Sequence, residues 1–391
     1  MKSFAIVLVC YKRLSGIQRL LKSLEVVDYS GRNDITLIFS IDNSGDTTVA
    51  DYANSYIWPH GNKIVRTFPE RQGLKKHILK CGDYTNQFDI ISVLEDDIFV
   101  SNSFYHYAYN AAVFYEFEDR VAGISLYSFQ KNWLDWIMRF EPQRTGCDAY
   151  FMKIAQSWGQ VWIKEKWDKF LAWYGKNQNF NYSEKIPEYL NGWPESSWLK
   201  YHTRYCIETD RYFVYPYVSL STNFSDAGEH ADVTVNDHQV ELMINKEKYS
   251  FPVFSKNAVI YDEYCNRCGL SRYLDVNEWE LTVDFWGTKR KSMYSRYVLT
   301  ACSLDYKEIA SFALSLRPIE MAVIYGIPGK GITLYDTSES GVSKKNTRFD
   351  LLLYSLRSHD IKTFLPFCIK LFFKELKRTL HRRLKRLMHR G

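Results

Sequence analysis

Residues 91–105 read ISVLEDDIFVSNSFY. An apolar stretch from Ile90 to Leu94, broken only by Ser92, runs into Glu95, Asp96 and Asp97, and the apolar pair Ile98-Phe99 follows at once. A short apolar run of this kind is the pattern of a strand buried on both faces of a parallel sheet. Three successive carboxylates at its end repel one another and lose hydration, a cost that only a neighbouring positive group offsets. The segment therefore raises the fold and the function together: a buried strand aimed at a cation or a basic side chain.

The flanking sequence repeats the pattern. Phe4–Cys10 (FAIVLVC) is a second continuous apolar, β-branched run, and Ile17, Leu20, Leu21 and Leu24 then recur at helical spacing. ITLIFSIDNSGD reads as a strand ending in the turn cluster Asp42-Asn43-Ser44-Gly45. The spacing predicts helices over 47–56, 74–82 and 104–118, and strands over 63–68 and 121–127. Such β/α alternation predicts an α/β domain with a mostly parallel sheet, in which ligands gather at the carboxyl ends of the strands. Asp42 and the three acidic residues both fall at such ends.

From 150 to 224 Trp and Tyr become dense, and RYFVYPYVSLSTNF reads as a closing strand. A composition change near 250 suggests three parts: 1–250 as the main domain, 251–345 as an accessory α+β region with one helix near 305–316, and 346–391 as a helical tail. Gly326-Ile-Pro-Gly-Lys-Gly331 lacks the spacing of a phosphate-binding loop and reads as a hairpin turn.

The 391 residues are 46% hydrophobic and 25% charged, ordinary for a folded protein, with aromatics high at 16%. The net charge of +6 is uneven: Lys370 to Arg390 hold nine Lys or Arg against Glu375, a local +8 that leaves the rest at −2. The body thus offers no basic face for nucleic acid. In the tail, Ile369, Phe372, Phe373, Leu376, Leu380, Leu384 and Leu387 share one helical face with Lys and Arg opposite. That is the pattern of a helix lying on an anionic membrane surface. No stretch reaches the ~20 apolar residues of a membrane span. Of eight cysteines only Cys265 and Cys268 have metal-ligand spacing, without a second pair, and the set reads as reduced cytosolic thiols.

Adjacent carboxylates at a strand end suit a solvated turn, a general acid/base pair, or a hard cation such as Mg²⁺ or Mn²⁺ that also binds substrate phosphates. Alternation along a strand lets at most two of the three reach one ion. Here the segment VLEDDIFVSNSFY resembles the metal motif of nucleotide-sugar glycosyltransferases of the GT-A fold, in the branch holding an inverting N-acetylglucosaminyltransferase and many bacterial sugar transferases. Five further segments resemble that family in its order: VLVCYKRLSGIQRLLKSL, IFSIDNSGD, SWGQVWIKEKWDKF, WPESSWLKY and YPYVSLSTNFSDAGEHA, with RQGLKKHILKCGDY ahead of the metal motif. The resemblance covers about residues 4–235. Lys12, Leu14 and Gln160 depart from the usual residues.

The resemblance implies a mixed, mainly parallel sheet flanked by helices and a metal-dependent, inverting transfer from a UDP-sugar to a glycan or lipid-linked acceptor, in bacterial surface polysaccharide synthesis. It places Asp97 on Mn²⁺ or Mg²⁺, Asp96 near the donor sugar or ribose, and Glu95 behind them. Arg13 and Asp42 would meet the nucleoside, and His230 the diphosphate. Glu195 would be the catalytic base, with Glu208 and Asp210 as alternatives, since Ser197 stands where one member has its base. Trp158, Trp162, Trp193 and Trp198 would form an acceptor platform, and Lys75 and Lys76 lie within reach of phosphate. The expected location is the cytoplasmic side of the cell membrane, held peripherally by the tail. A nucleotidyltransferase and a non-catalytic sugar-binding or scaffold protein are the competing classes.

Overall fold

The computed structural model describes residues 1–180, 182–184, 186–226, 238–342, 348–356 and 360–388. Most strands up to residue 261 build one sheet. Its first strands are β1 (Phe4–Cys10), β2 (Thr36–Ile41), β3 (Lys63–Thr67) and β4 (Ile90–Glu95); the short β5 (Ile98–Val100), beyond the acidic turn, lies outside it. They alternate with helices α1 (Leu14–Glu25), α2 (Thr48–Ser55) and α3 (Leu74–Gly82), and α4 (Phe104–Phe114) follows β5. β6 (Val121–Ser125) leads to a hairpin arm, β7 (Lys131–Asn132) and β8 (Asp135–Arg139), then β9 (Ala149–Met152) and β10 (Gln160–Ile163). After α5 (Lys164–Lys176), α6 (Glu188–Asn191) and α7 (Trp198–Glu208) come β11 (Tyr212–Pro216), β12 (Ser221–Asn223) and β13 (Ile260–Tyr261).

The sheet order is β13-β9-β11-β6-β10-β4-β1-β2-β3, with β10 antiparallel to both its neighbours and β9 antiparallel to β11 but parallel to β13. This is the mixed, mainly parallel sheet flanked by helices that the alternation called for. Outside it β5 pairs with β12 and β7 with β8. β1 and β2 are buried along their whole length because helices cover both faces, which is why their apolar runs do not alternate. β13 joins the edge of this sheet, and Phe251 and Phe254 pack on its core. The main unit therefore extends past the expected boundary near 250.

The remaining strands, β14 (Leu281–Val283), β15 (Tyr297–Thr300), β16 (Tyr306–Ala313) and β17 (Gly331–Ser340), form a separate four-stranded sheet. The helix expected near 305–316 is strand β16. KEIASFA has ordinary helix formers, but pairing along most of the ten-residue β17 overrides them, a tertiary effect that local propensity does not see. The glycine-rich turn before β17 follows the short helix α8 (Met321–Ile324) and does not close a simple hairpin. Helix α9 (Arg348–Leu356) buries Leu351 and Tyr354 in this region's core, so it belongs to the accessory region and not to the tail. Helix α10 (Ile361–Met388) follows.

One close approach fixes the site. A Cβ on Gly16, in the first turn of α1, would lie 2.4 Å from the Asp96 carbonyl oxygen, so only glycine lets the helix touch the acidic turn.

Candidate active site

The carboxyl ends of β1, β2 and β4 open into a cleft of about 570 Å³. One wall carries Asp42, Glu95, Asp96, Asp97, Arg13 and Asp226; the opposite wall carries Trp158, Trp193, Pro194, Ser197 and Trp198. The positive group that the acidic turn requires is Arg13, at the start of α1. Its guanidinium donates to Asp96 Oδ1, lies 3.4 Å from Asp97 Oδ2, and also donates to the Asp226 carbonyl at 3.3 Å. Arg19, one and a half turns along the helix, holds the Asp226 carboxylate and stacks 3.9 Å over Phe224. Phe224 N donates to the Asp97 carbonyl at 2.9 Å, and β12 pairs with β5. Residues distant in sequence are thus tied around one turn.

The tie leaves a surplus of negative charge. Burial pushes the Asp96 carboxyl up to about 6 against the pull of Arg13, and desolvation together with Asp97 and Asp96 raises Glu95 strongly. Asp97 Oδ1 is buried and has no hydrogen-bond partner. Among the described residues no three His, Cys, Asp or Glu side chains gather to cage a metal. A hard cation that keeps its waters and takes substrate phosphates needs only one or two carboxylates, and the orphaned Asp97 oxygen fits that demand.

Asp42 reaches the cleft at 5% exposure, but its oxygens already accept backbone N–H groups from Asn43 (2.9 Å), Gln72 (2.7 Å) and Gly73 (2.9 Å). It fixes the 69–73 loop, and Arg13 likewise braces the acids. His77, buried beside them, contacts Ser40 Oγ at 2.8 Å, and burial lowers it to about 4, so it is neutral.

On the aromatic wall Trp158 stacks on Trp133 at 5.7 Å and lies 4.4 Å from the His238 ring, while Trp133 also meets Trp193 at 6.1 Å. Lys200 Nζ donates to the Trp193 carbonyl at 2.5 Å and positions that turn. Trp162 does not belong to this platform. At 1% exposure it stacks on Trp167 at 4.0 Å and donates Nε1–H to Gln160, so no ring face is open to a sugar.

Glu195 is exposed in the turn before α7; its neighbours Pro194 and Ser196 line the cleft and it does not. The two alternative bases do not line the cleft either. Glu208 ends α7, roughly 15 Å along the axis from Trp198, and is held by Arg204 and Trp173. Asp210 lies beyond it, paired with Arg120 and Lys153. Lys75 lies 4.7 Å over the Tyr201 ring, and neither it nor Lys76 lines the cleft. His230 lies outside the described residues. The eight cysteines are free thiols.

Residues that motif reading passed over are Tyr11, Arg71, Asp226 and His238, all lining the cleft. Arg71 lies 5.3 Å over the Tyr11 ring. Asp226 and His238 follow β12 in chain order, and only the return of β12 to β5 brings them here.

No model of a known protein family matches the chain, and no curated protein matches it. Solved structures that resemble part of it include a mannosyltransferase from Pyrobaculum calidifontis in complex with GDP-Man and Mn²⁺ (13% identity over 56% of this chain and 57% of that one, TM-score 0.33). Others are S. aureus TarS 1-349 with UDP-GlcNAc (14%, 65% and 62%, 0.34) and GalNAc-T7 with UDP, GalNAc and Mn²⁺ (11%, 55% and 42%, 0.37). In each case the match spans less than two thirds of the other chain, and a likeness at this level concerns the course of the backbone alone.

Proposed function

We propose that this protein transfers a sugar from a nucleoside-diphosphate donor, most simply a UDP-sugar, to a hydroxyl of a glycan or lipid-linked acceptor. The observation that carries the reading is the buried, unpartnered Oδ1 of Asp97, a residue that lines an open cleft together with Trp158, Trp193 and Trp198. Asp97 would hold Mn²⁺ or Mg²⁺, which when bound neutralises charge on the leaving diphosphate. Arg13 keeps Asp96 turned beside it, and Gly16 and Asp42 keep the floor rigid. Trp158 and Trp193, both part-exposed in the lining, would meet the acceptor. Glu195, exposed next to the lining residues Pro194 and Ser196, would take the acceptor proton in an inverting transfer. The resemblance in sequence favours a bacterial surface polysaccharide or glycolipid as acceptor.

A panel of nucleotide sugars incubated with purified protein tests this: donor hydrolysis that needs Mn²⁺ or Mg²⁺ and stops with EDTA supports an enzyme. Binding without any turnover, in every metal condition, leaves a sugar-binding protein instead.

We further infer that α10 rests on the cytoplasmic surface of an anionic membrane. Ile369, Phe372, Phe373, Leu376 and Leu380 of its apolar face are 44–63% exposed, an arrangement that a lipid interface covers and to which the opposite basic face adds attraction. The side chains of Leu384 and Leu387 lie outside those described. No described helix is long and apolar enough to cross a membrane. Full-length protein should co-sediment with liposomes containing phosphatidylglycerol, and deletion of residues 363–391 should release it; failure of the full chain to sediment ends this reading.

A further inference from the structure

A second cavity, of about 620 Å³, lies where the loops after β6 and β11 meet the hairpin arm and the accessory region. Its lining is polar and charged: Arg139 and Glu141 from the arm, Arg144 beyond it, Tyr217 after β11, and Arg317 from the accessory region. The arm is fixed between the two units. Met138 is buried in the accessory core, and Ser355 contacts its sulfur at 3.1 Å. Glu141 accepts from Arg317 at 2.8 Å and lies 3.5 Å from Arg139, so one carboxylate is shared by two guanidinium groups. Arg144 is different. Its guanidinium stands 5.7 Å over the Tyr217 ring, is exposed, and has no carboxylate partner among the described residues. The cavity's other acid, Glu241, is exposed and forms no ion pair with Arg144 among the described residues.

The cavity is connected to the cleft by touching rings. Phe129, in its wall, meets Trp133 at 5.0 Å, and Trp133 stacks on Trp158 of the cleft at 5.7 Å. Phe129 is buried, so these contacts set the distance between the two sites: a chain of sugar units seated against Trp158 would need to pass only the part-exposed Trp133 to reach the second cavity. We infer that the cavity is a subsite for an acidic oligosaccharide, whose carboxylate is taken by Arg144 while its ring rests against the arm. A planar guanidinium without a partner recognises a carboxylate through paired hydrogen bonds, and an arginine–tyrosine ledge is a polar, rigid surface for a pyranose. The accessory region thereby acquires a role: it completes the wall of an acceptor site. The inference rests on the transferase reading for the identity of the chain as acceptor, but saccharide binding is measured without donor.

The test uses the full chain with tri-galacturonate and, as neutral control, maltotriose, followed by calorimetry or ligand-observed NMR. Tri-galacturonate should bind and maltotriose should bind at least about tenfold more weakly, the order of one charge-assisted pair. Arg144→Ala should weaken tri-galacturonate about tenfold with an unchanged melting temperature. Gln130→Trp, at an exposed lining position, should block binding by filling the cavity. No binding of tri-galacturonate, equal binding of the two saccharides, or indifference to both substitutions overturns the subsite. Loss of donor hydrolysis in the unsubstituted protein would instead overturn the transferase reading and leave a measured saccharide site standing.

Discussion

The two walls of the cleft are held in opposite ways. The acidic wall is backbone-rigid and electrostatically unsettled: Asp96 and Asp97 sit on a turn braced by Arg13, by β12 and by a glycine contact, yet one carboxylate oxygen is left without a partner. The aromatic wall is electrostatically quiet and supported from behind, with Trp162 and Trp167 stacked in the core and Trp158 and Trp193 toward the cleft. One wall is built to receive charge and the other to receive a ring face. The difference teaches where chemistry and recognition separate.

The sharpest way to break that comparison is at Asp97. Asp97→Ala should lower metal-dependent donor hydrolysis by at least about a thousandfold, and chelation should mimic it, because the leaving diphosphate loses its counter-charge. Near-normal turnover in the variant would make the acidic wall a mere turn. Next in size is Glu195→Gln, expected to cut transfer to an acceptor by about a hundredfold, the low end of general-base loss, with donor binding retained. An unchanged transfer rate would mean that an exposed rim carboxylate takes no proton. Trp158→Ala should act on recognition alone, raising the acceptor KM by about tenfold while donor hydrolysis stays within twofold. A collapse of donor hydrolysis instead would show that the walls are not separable.

The smallest effect is on stability and concerns the quiet wall's support. His202 is buried among Phe170, Trp162, Trp198 and Phe213, neither ring nitrogen has a hydrogen-bond partner, and burial lowers it to about 3. Below the ordinary histidine value of about 6.5 the unfolded chain takes a proton that the folded chain refuses, so stability falls as pH drops. At pH 5 this costs about 2 kcal/mol for His202, and a similar amount for His77, lowered to about 4. His202→Phe should keep the neutral-pH melting temperature and flatten its fall between pH 6.5 and 5; an identical acid profile in the variant removes His202 as a cause.

Much of this architecture was legible residue by residue. The runs at Phe4–Cys10 and Ile90–Leu94 announced buried parallel strands because apolar continuity has few other uses. The acidic turn announced a need for positive charge, and Arg13 lay where the opening helix begins. What could not be read was partnership across the chain. Nothing local to Asp226 says that β12 returns it to Arg19, and nothing local to Trp162 distinguishes a core indole from an exposed one, since both come with the same aromatic density. β16 was misread for the same reason: its conformation is set by β17, whose paired residues lie 18 to 34 positions away. Nor does a strand-end carboxylate such as Asp42 announce, from its own segment, that it accepts N–H groups from the 72–73 backbone.

The contact between Gly16 and the Asp96 carbonyl has a consequence for ionic strength. At 1 M salt the Debye length shrinks to about 3 Å, and the Arg13–Asp96 pair, with Asp96 buried and the guanidinium part-exposed, loses only some of its attraction. Steric closeness between a helix and a backbone carbonyl is not screened at all. The acidic turn should therefore keep its shape in brine while its grip on a cation weakens, so that activity declines with salt through binding and the fold beneath it does not move.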